Sequence, residues 1–410
     1  MYDTAEWLAE QCTWFGMQVD VVEWYGNPIV LASYQVNKNL PTCLIYGHYD
    51  VQPAKKDDWR DHDPFDVQEK DWKLIARGIV DNKWQLAIHL HTISQLINRN
   101  KLWYNIKFLI EWNEETGSPL LSKFMHDYKD NISADFCLIS DGEIVGESPA
   151  IDAWFRGWAN MTIKLTTGKT DLHSWIYGWV APNASLELTR LLSQLYNQSG
   201  QITVPYFYYD VDVVSSDIIK QHKNIWFDAE AFKSQTWYKK LFGAYDYYTQ
   251  TWLQPSIEIT GMTSGYTSEW YRNAIPSTAT AKLNIRTVAN QNPDHIIKNI
   301  AHWLQKKVPD YVSIVIDASD PYPAMKTDLS NAYLQKAVAI LETVYDKKVI
   351  YHFSGWGLPI VKLFADMWIP QVLVPLANDD CNMHGVWENY RIDLIQKGLL
   401  FAEKFLGKDG

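Results

Sequence analysis

At 410 residues the chain can bury one large core but divides more naturally into two domains. Its formal charge of -11, from 37 basic and 48 acidic side chains, leaves no basic footprint for nucleic acid. No signal peptide stands out and no uncharged apolar run reaches the roughly 20 residues that span a bilayer. The four cysteines, Cys12, Cys43, Cys137 and Cys381, form neither a CxxC pair nor a disulfide framework, so the cytoplasm is the natural setting.

In chain order, residues 4–15 read as an amphipathic helix, followed by strands over 18–23 and 29–34. Residues 42–46 are an apolar run, a buried strand that opens into Gly47-His48-Tyr49-Asp50. A neutral His48 imidazole can bind a metal there, and Asp50, two residues on, can hold the ring's other nitrogen. A His-x-Asp pair alone is more often a hydrogen-bonded loop histidine. Other acidic and histidine residues, however, also follow apolar runs: Asp81 after 74–80, Glu114 and Glu115 after 106–110, Asp141 after 136–140, and His384 after 372–376 and a short polar loop. In open α/β sheets ligands sit outside the carboxyl ends of strands, so residues spread this way can converge. Two histidines and three carboxylates suit a pair of divalent metals, with one more carboxylate left for proton transfer.

Between these points, residues 52–70 read as a long polar loop whose charges form a solvated rim. Residues 85–98 have helical periodicity with Leu86, Leu90 and Ile93 on one face, which puts Asp81 just before a helix N-terminus that favours the ionised carboxylate. Glu114 and Glu115 are adjacent, so their side chains diverge if that segment is extended. From about Ala153 the pattern changes to strand 157–166, helix 182–197, strand 279–287, helix 293–306 and strand 311–316, a βαββαβ-like insertion with a Tyr- and Trp-rich excursion over 201–252. Residues from about 317 return to helix-strand alternation and should rejoin the first sheet. The expected division is therefore 1–155 and 318–410 as a catalytic domain, with 156–317 inserted.

The segments GHYDVQPA, ARGIVDNK, NEETGS, LISDGE, DLHS and MHGVWENYRI, in this order, resemble the dinuclear zinc or manganese hydrolases that include carnosinase-type dipeptidases, aminoacylases, desuccinylases and glutamate carboxypeptidases. GHYDVQPA and DLHS look most like the carnosinase-type dipeptidases. The resemblance implies an α/β fold: a phosphorylase/hydrolase-like catalytic domain with a mixed sheet between helices, plus an α+β, ferredoxin-like lid that also carries a homodimer contact. It implies two divalent ions, Zn2+ first with Mn2+ or Co2+ as alternatives, bridged by Asp81. His48 and Asp141 would complete one site, and Glu115 and His384 the other. Glu114 would be the general base, with Asp50 orienting His48. His173 would stabilise an oxyanion from the partner subunit, while Arg286, and less directly Thr267, would bind the substrate's carboxylate. The implied reaction is hydrolysis of a dipeptide by a metal-activated water. An N-acyl-amino-acid deacylase or desuccinylase, or a non-catalytic binding homologue, are the alternatives. Cys381, three residues before His384, reads as a small buried hydrophobe rather than a ligand.

Several departures accompany the resemblance. Relatives carry a further helix ahead of residue 4, so the chain is either truncated or its start is misplaced. Asn82 stands where relatives usually have a second Asp, and Gly357 where many have a pocket serine. At nine positions where relatives carry glycine this chain has tryptophan: Trp72, Trp84, Trp112, Trp154, Trp175, Trp179, Trp270, Trp356 and Trp368. The chain holds 20 Trp and only 20 Gly; counting those nine as glycine returns the glycine share to an ordinary value of about 7%. The expectation is a source that reads UGA as glycine, with the sequence written as if UGA were tryptophan.

Overall fold

The continuous apolar runs become the centre of a six-stranded mixed sheet. In spatial order its strands are Gln18–Val22, Ile29–Tyr34, Asn105–Glu111, Thr42–His48, Phe136–Ile139 and Gln371–Leu373. The first two pairings are antiparallel and the remaining three parallel. Phe136–Ile139 is buried at every residue, as expected where a parallel sheet is covered on both faces and cannot alternate. The computed structural model describes residues 2–59, 62–211, 213–225, 227–242, 245–319, 321–354 and 359–408. It divides into two units, the first formed by Met1–Ala153, Thr327–His352 and the C-terminal segment, the second by Trp154–Lys326 with Phe353 and Ser354. The helices Trp84–Asn98 and Ile392–Leu406 join the core of the first unit. They meet closely at Gly398, where a Cβ would lie 2.9 Å from Ile88 Cδ1.

The second unit is a four-stranded antiparallel sheet in the order Ser256–Ser264, Thr278–Thr287, Gly157–Thr166, Ser313–Ala318. Gly157–Thr166 alternates buried and exposed residues, the signature of a sheet covered on one face. Its inward residues Met161, Ile163 and Leu165 share a core with Leu188 and Leu191 of helix Ala184–Leu192 and with Ile300 and Leu304 of helix Pro293–Lys307. Both helices begin where the sequence supplies a cap. Asn183 accepts from the amides of Ser185 and Leu186, and Asn292 accepts from His295 ahead of a proline in the first turn. In chain order the elements run βαββαβ, the ferredoxin-like arrangement the sequence led us to expect.

Some local expectations are corrected. The run 74–80 is no strand of the main sheet: Lys73–Ile75 belongs to a small sheet with Gln68–Lys70 and Asn389–Arg391, and Ile79–Lys83 is a helical turn. Gly78, at φ 76°, turns the chain between them. Glu114–Thr116 is a short 3-10 turn rather than an extended segment. The loop 52–70 holds a 3-10 turn at Lys56–Trp59 whose Trp59 is buried, so it is more than a solvated rim. The helix expected to reach 197 gives way to a 3-10 turn after Leu192. No helix among the described residues is long and apolar enough to cross a membrane.

Candidate metal centre

Three neighbouring strands of the first unit deliver side chains to one place. Thr42–His48 ends on His48, which is fully buried. The adjacent strand Asn105–Glu111 leads into the Glu114–Thr116 turn, and Phe136–Ile139, on the other side, leads to Asp141. Asp81 arrives from the Ile79–Lys83 turn, and His384 from the loop that follows Gln371–Leu373. The approach of this turn to the strand requires glycine at position 47, where a Cβ would lie 2.9 Å from Asn82 Oδ1.

The donors form two sets that share one residue. His48, Asp81 and Asp141 offer atoms within 4.8 Å of one another, as do Asp81, Glu115 and His384. Asp81 turns one oxygen to each: Oδ1 is 2.9 Å from His48 Nε2, and Oδ2 is 2.7 Å from His384 Nε2. Asp141 Oδ2 is 3.5 Å from His48 Nε2, and Glu115 Oε2 is 3.4 Å from His384 Nε2. His48 Nδ1 lies 3.2 Å from Asp50 Oδ1, whose other oxygen accepts from the Glu115 amide at 3.0 Å, so Asp50 orients members of both sets. Gln52 Nε2 donates to Glu115 Oε2 at 2.6 Å, and Asn82 Nδ2 to the Ser140 carbonyl at 2.7 Å.

Whether these residues fit metal ions is answered by their unsatisfied atoms. Among the described residues, His48 Nε2 faces the Asp81 and Asp141 oxygens but makes no well-directed hydrogen bond, and Glu115 Oε1 is buried without a hydrogen-bond partner, one such atom in each set. A buried polar atom left so is costly, and a cation in each donor set would satisfy it. Imidazole and carboxylate donors of this kind suit zinc, manganese or cobalt. The electrostatics agree. Burial pushes the His48 imidazole down, but the carboxylates of Asp141, Asp50 and Asp81 outweigh it and hold it well above its usual value. Burial raises Asp141, while Asp81, despite burial, is held well below the usual carboxylate range by His384 and His48. The hydrogen bond to Asp81 raises His384. Crowded carboxylates thus demand a compensating positive charge at this point. Burial pushes the Glu114 carboxyl up to about 8; His48 opposes this, and the negative charges of Asp141, Asp81 and Glu115 reinforce it.

One feature of the centre had no role assigned from sequence. Arg77 and Glu388 form a buried ion pair at 2.7 Å. Glu388 also accepts from the amides of Gly78, Val80 and Asp81, and Arg77 donates to the carbonyls of His384 and Gly385. The pair therefore ties the Asp81 turn to the His384 loop. Both residues lie within the motifs ARGIVDNK and MHGVWENYRI, but only the folded chain brings them together.

His173, Arg286 and Thr267 belong to the second unit. His173 is exposed, and its Nδ1 accepts from the Trp175 amide; Arg286 is half-buried on Thr278–Thr287 and donates to Asn284 Oδ1 at 3.1 Å; Thr267 is exposed beyond Ser256–Ser264. Cys381 is buried, 2.8 Å from Glu143 Oε1, and belongs to neither donor set. Trp356 and Gly357 lie outside the described residues.

Residues 44–408 match the profile of Peptidase family M20/M25/M40. The chain is 29% identical over 391 residues to a Beta-Ala-His dipeptidase of Homo sapiens, covering 92% of this chain and 77% of that protein. It is 24% identical over 401 residues to the Cys-Gly metallodipeptidase DUG1 of Saccharomyces cerevisiae, covering 92% and 81%. Among solved structures it superposes on the M20 family metallo-carboxypeptidase Sso-CP2 from Sulfolobus solfataricus with a TM-score of 0.82 at 26% identity, over 98% of this chain and 93% of the other.

Proposed function

The chain belongs to peptidase family M20/M25/M40, and from that premise we propose that it is a metal-dependent dipeptidase. The observation that carries this reading is the pair of donor sets joined through Asp81, with the Glu114 carboxyl beside them. His48 and Asp141 would hold one cation, Glu115 and His384 the other, and Asp81 both. Bound there, two divalent cations would supply Lewis acidity, lowering the pKa of water and polarising the scissile carbonyl. Glu114 takes a proton from the attacking water as its oxygen adds to the carbonyl carbon. As the carbon-nitrogen bond breaks, Glu114 returns that proton to the leaving amine. Asp50 holds the His48 ring through Nδ1.

From the second unit, Arg286 would clamp the substrate's terminal carboxylate through its planar fork, with Thr267 in the same pocket. His173 of the partner subunit would donate to the oxyanion. Support for a homodimer comes from the exposed apolar side chains that follow His173: Ile176 at 68% and Val180 at 78%. Zinc is proposed first for the two ions, manganese second, and the cytoplasm as the compartment. The nine tryptophans at glycine positions are taken as recoded glycines, so activity is to be measured on the chain as written and on its glycine version.

The test is hydrolysis of Beta-Ala-His, Cys-Gly and a small set of other dipeptides, beside N-acyl amino acids, with zinc or manganese added. Dipeptide cleavage that falls by ~10^2 to 10^4-fold in Glu114→Gln is expected. Cleavage of acyl amino acids alone would replace this reading with a deacylase, and metal binding without any hydrolysis by either version would replace it with a binding protein.

A further inference from the structure

The structure tells apart two kinds of tryptophan. Among the described residues, Trp72, Trp179, Trp237, Trp368 and Trp387 have positive φ, between 60° and 67°. Left-handed backbone forces a Cβ against the following carbonyl, and for a bulky side chain it is a true outlier. Phenylalanine and tyrosine provide the control, because their Cβ carries the same planar ring attachment. The chain has 24 Tyr and 14 Phe. Of these, only Tyr206 has positive φ among the described residues. Bulk and aromaticity therefore do not account for the five tryptophans.

The local backbone shows what they replace. Asp71 and Trp72, at φ 52° and 61°, are the two central residues of the hairpin in which Lys70 pairs with Lys73. A two-residue turn with both φ values positive is type I′, whose favoured sequence is Asp-Gly or Asn-Gly. Trp368 follows the helix Pro359–Asp366. Its amide bonds to the Ala365 carbonyl at 3.0 Å, and the Ile369 amide to the Phe364 carbonyl at 3.0 Å. Those two bonds are the Schellman pattern, and Trp368 stands at its left-handed position, where glycine is usual. Trp237 occupies the same kind of position, left-handed directly after helix Ala229–Thr236. Exposure agrees: Trp237 is 88% exposed, Trp368 91% and Trp179 97%, although tryptophan is normally among the well-buried residues. Other tryptophans behave ordinarily. Trp59 is buried beneath the Arg77 guanidinium, and Trp252 is buried against His222 and Tyr248.

We infer that the native polypeptide carries glycine at positions 72, 179, 237, 368 and 387, and tryptophan at 59 and 252. For Trp72, Trp179 and Trp368 this deepens the recoding reading above; Trp237 and Trp387 are identified by backbone alone. Position 387 has a consequence at the metal centre. Its indole lies 4.9 Å from the His62 ring and 6.0 Å from Trp59, and it directly precedes Glu388. With glycine at 387, the His62 and Trp59 rings lose this cover and form part of the surface beside the Asp81 turn.

The codons in the source gene and the masses of the corresponding peptides from the native protein test this. UGA at the five positions, UGG at 59 and 252, and glycine masses at the five are expected. One and the same codon at all seven, or a tryptophan mass at the five, overturns the inference. A second measurement is independent of any catalytic assay. Changing the five to glycine in the recombinant chain is expected to raise its Tm by several degrees, whereas Trp59→Gly and Trp252→Gly lower it. A Tm that stays or falls in the five-glycine chain overturns the backbone premise without touching the dipeptidase reading, which the hydrolysis panel decides separately.

Discussion

Among the described residues Asp81 alone is common to both donor sets, and it presents a different oxygen to each histidine. Asp81→Ala is therefore expected to abolish binding of both cations, while Asp141→Ala and Glu115→Ala each remove one. Metal content after dialysis against a weak chelator measures this, and equal loss in all three variants would contradict the bridging role. The donor residues that the fold brings together could be named from sequence because each follows an apolar run and falls in a motif. Their pairing could not, because it depends on which oxygen of Asp81 faces which ring. Cys381 shows the converse: three residues from His384 in sequence, it turns instead to Glu143. All four cysteines are buried, and burial pushes Cys12 up to about 12 and Cys381 higher still. Thiol reagents are expected to leave the folded protein unmodified and to titrate all four in denaturant; rapid labelling of a native thiol would contradict that packing.

At the scale of elements, the Asp81 turn and the His384 loop hold position through one buried pair. Replacing a buried ion pair with apolar residues is often neutral, but Glu388 also satisfies three backbone amides that no apolar side chain can serve. Glu388→Ala is expected to destabilise the protein by about 3–5 kcal/mol, and Arg77→Met combined with Glu388→Met is expected not to restore it. Glu388→Gln keeps an acceptor for the amides and should fold, with metal affinity lowered by ~10 to 100-fold as the turn loosens. Denaturation midpoints and metal titrations on the three variants test this, and a fully stable double methionine variant would show that the amides find other partners. Sequence could not reveal the brace, since Arg77 and Glu388 are 311 positions apart and neither has a spacing that predicts the other. It also misplaced the segment before Asp81, because an apolar run of that length reads as a strand until the left-handed Gly78 breaks it.

Over the whole molecule, the βαββαβ order of the second unit was legible from the strand alternation over 157–166 and the helical runs 182–197 and 293–306, all local signals. The strand order of the first unit was not, because Gln371–Leu373 joins Phe136–Ile139 across the entire insertion and no local pattern encodes that pairing. The same division sets up the last prediction. Glu114 and the candidate metal donors lie in the first unit and His173 in the second, and we propose that His173 of the partner subunit serves each active site. Glu114→Gln and His173→Ala should each be inactive as homodimers. In a mixed dimer, however, the protomer carrying His173→Ala keeps its own Glu114 and borrows an intact His173 of the partner subunit. Random exchange makes half of the dimers mixed, each with one complete site, so about a quarter of wild-type activity should return. Mixing Glu114→Gln with Asp81→Ala is the control. Both changes disable the first unit, no complete site can form, and no activity should return. Recovery in neither mixture, under conditions where exchange is demonstrated by mass, would place His173 in its own subunit's chemistry or outside the reaction.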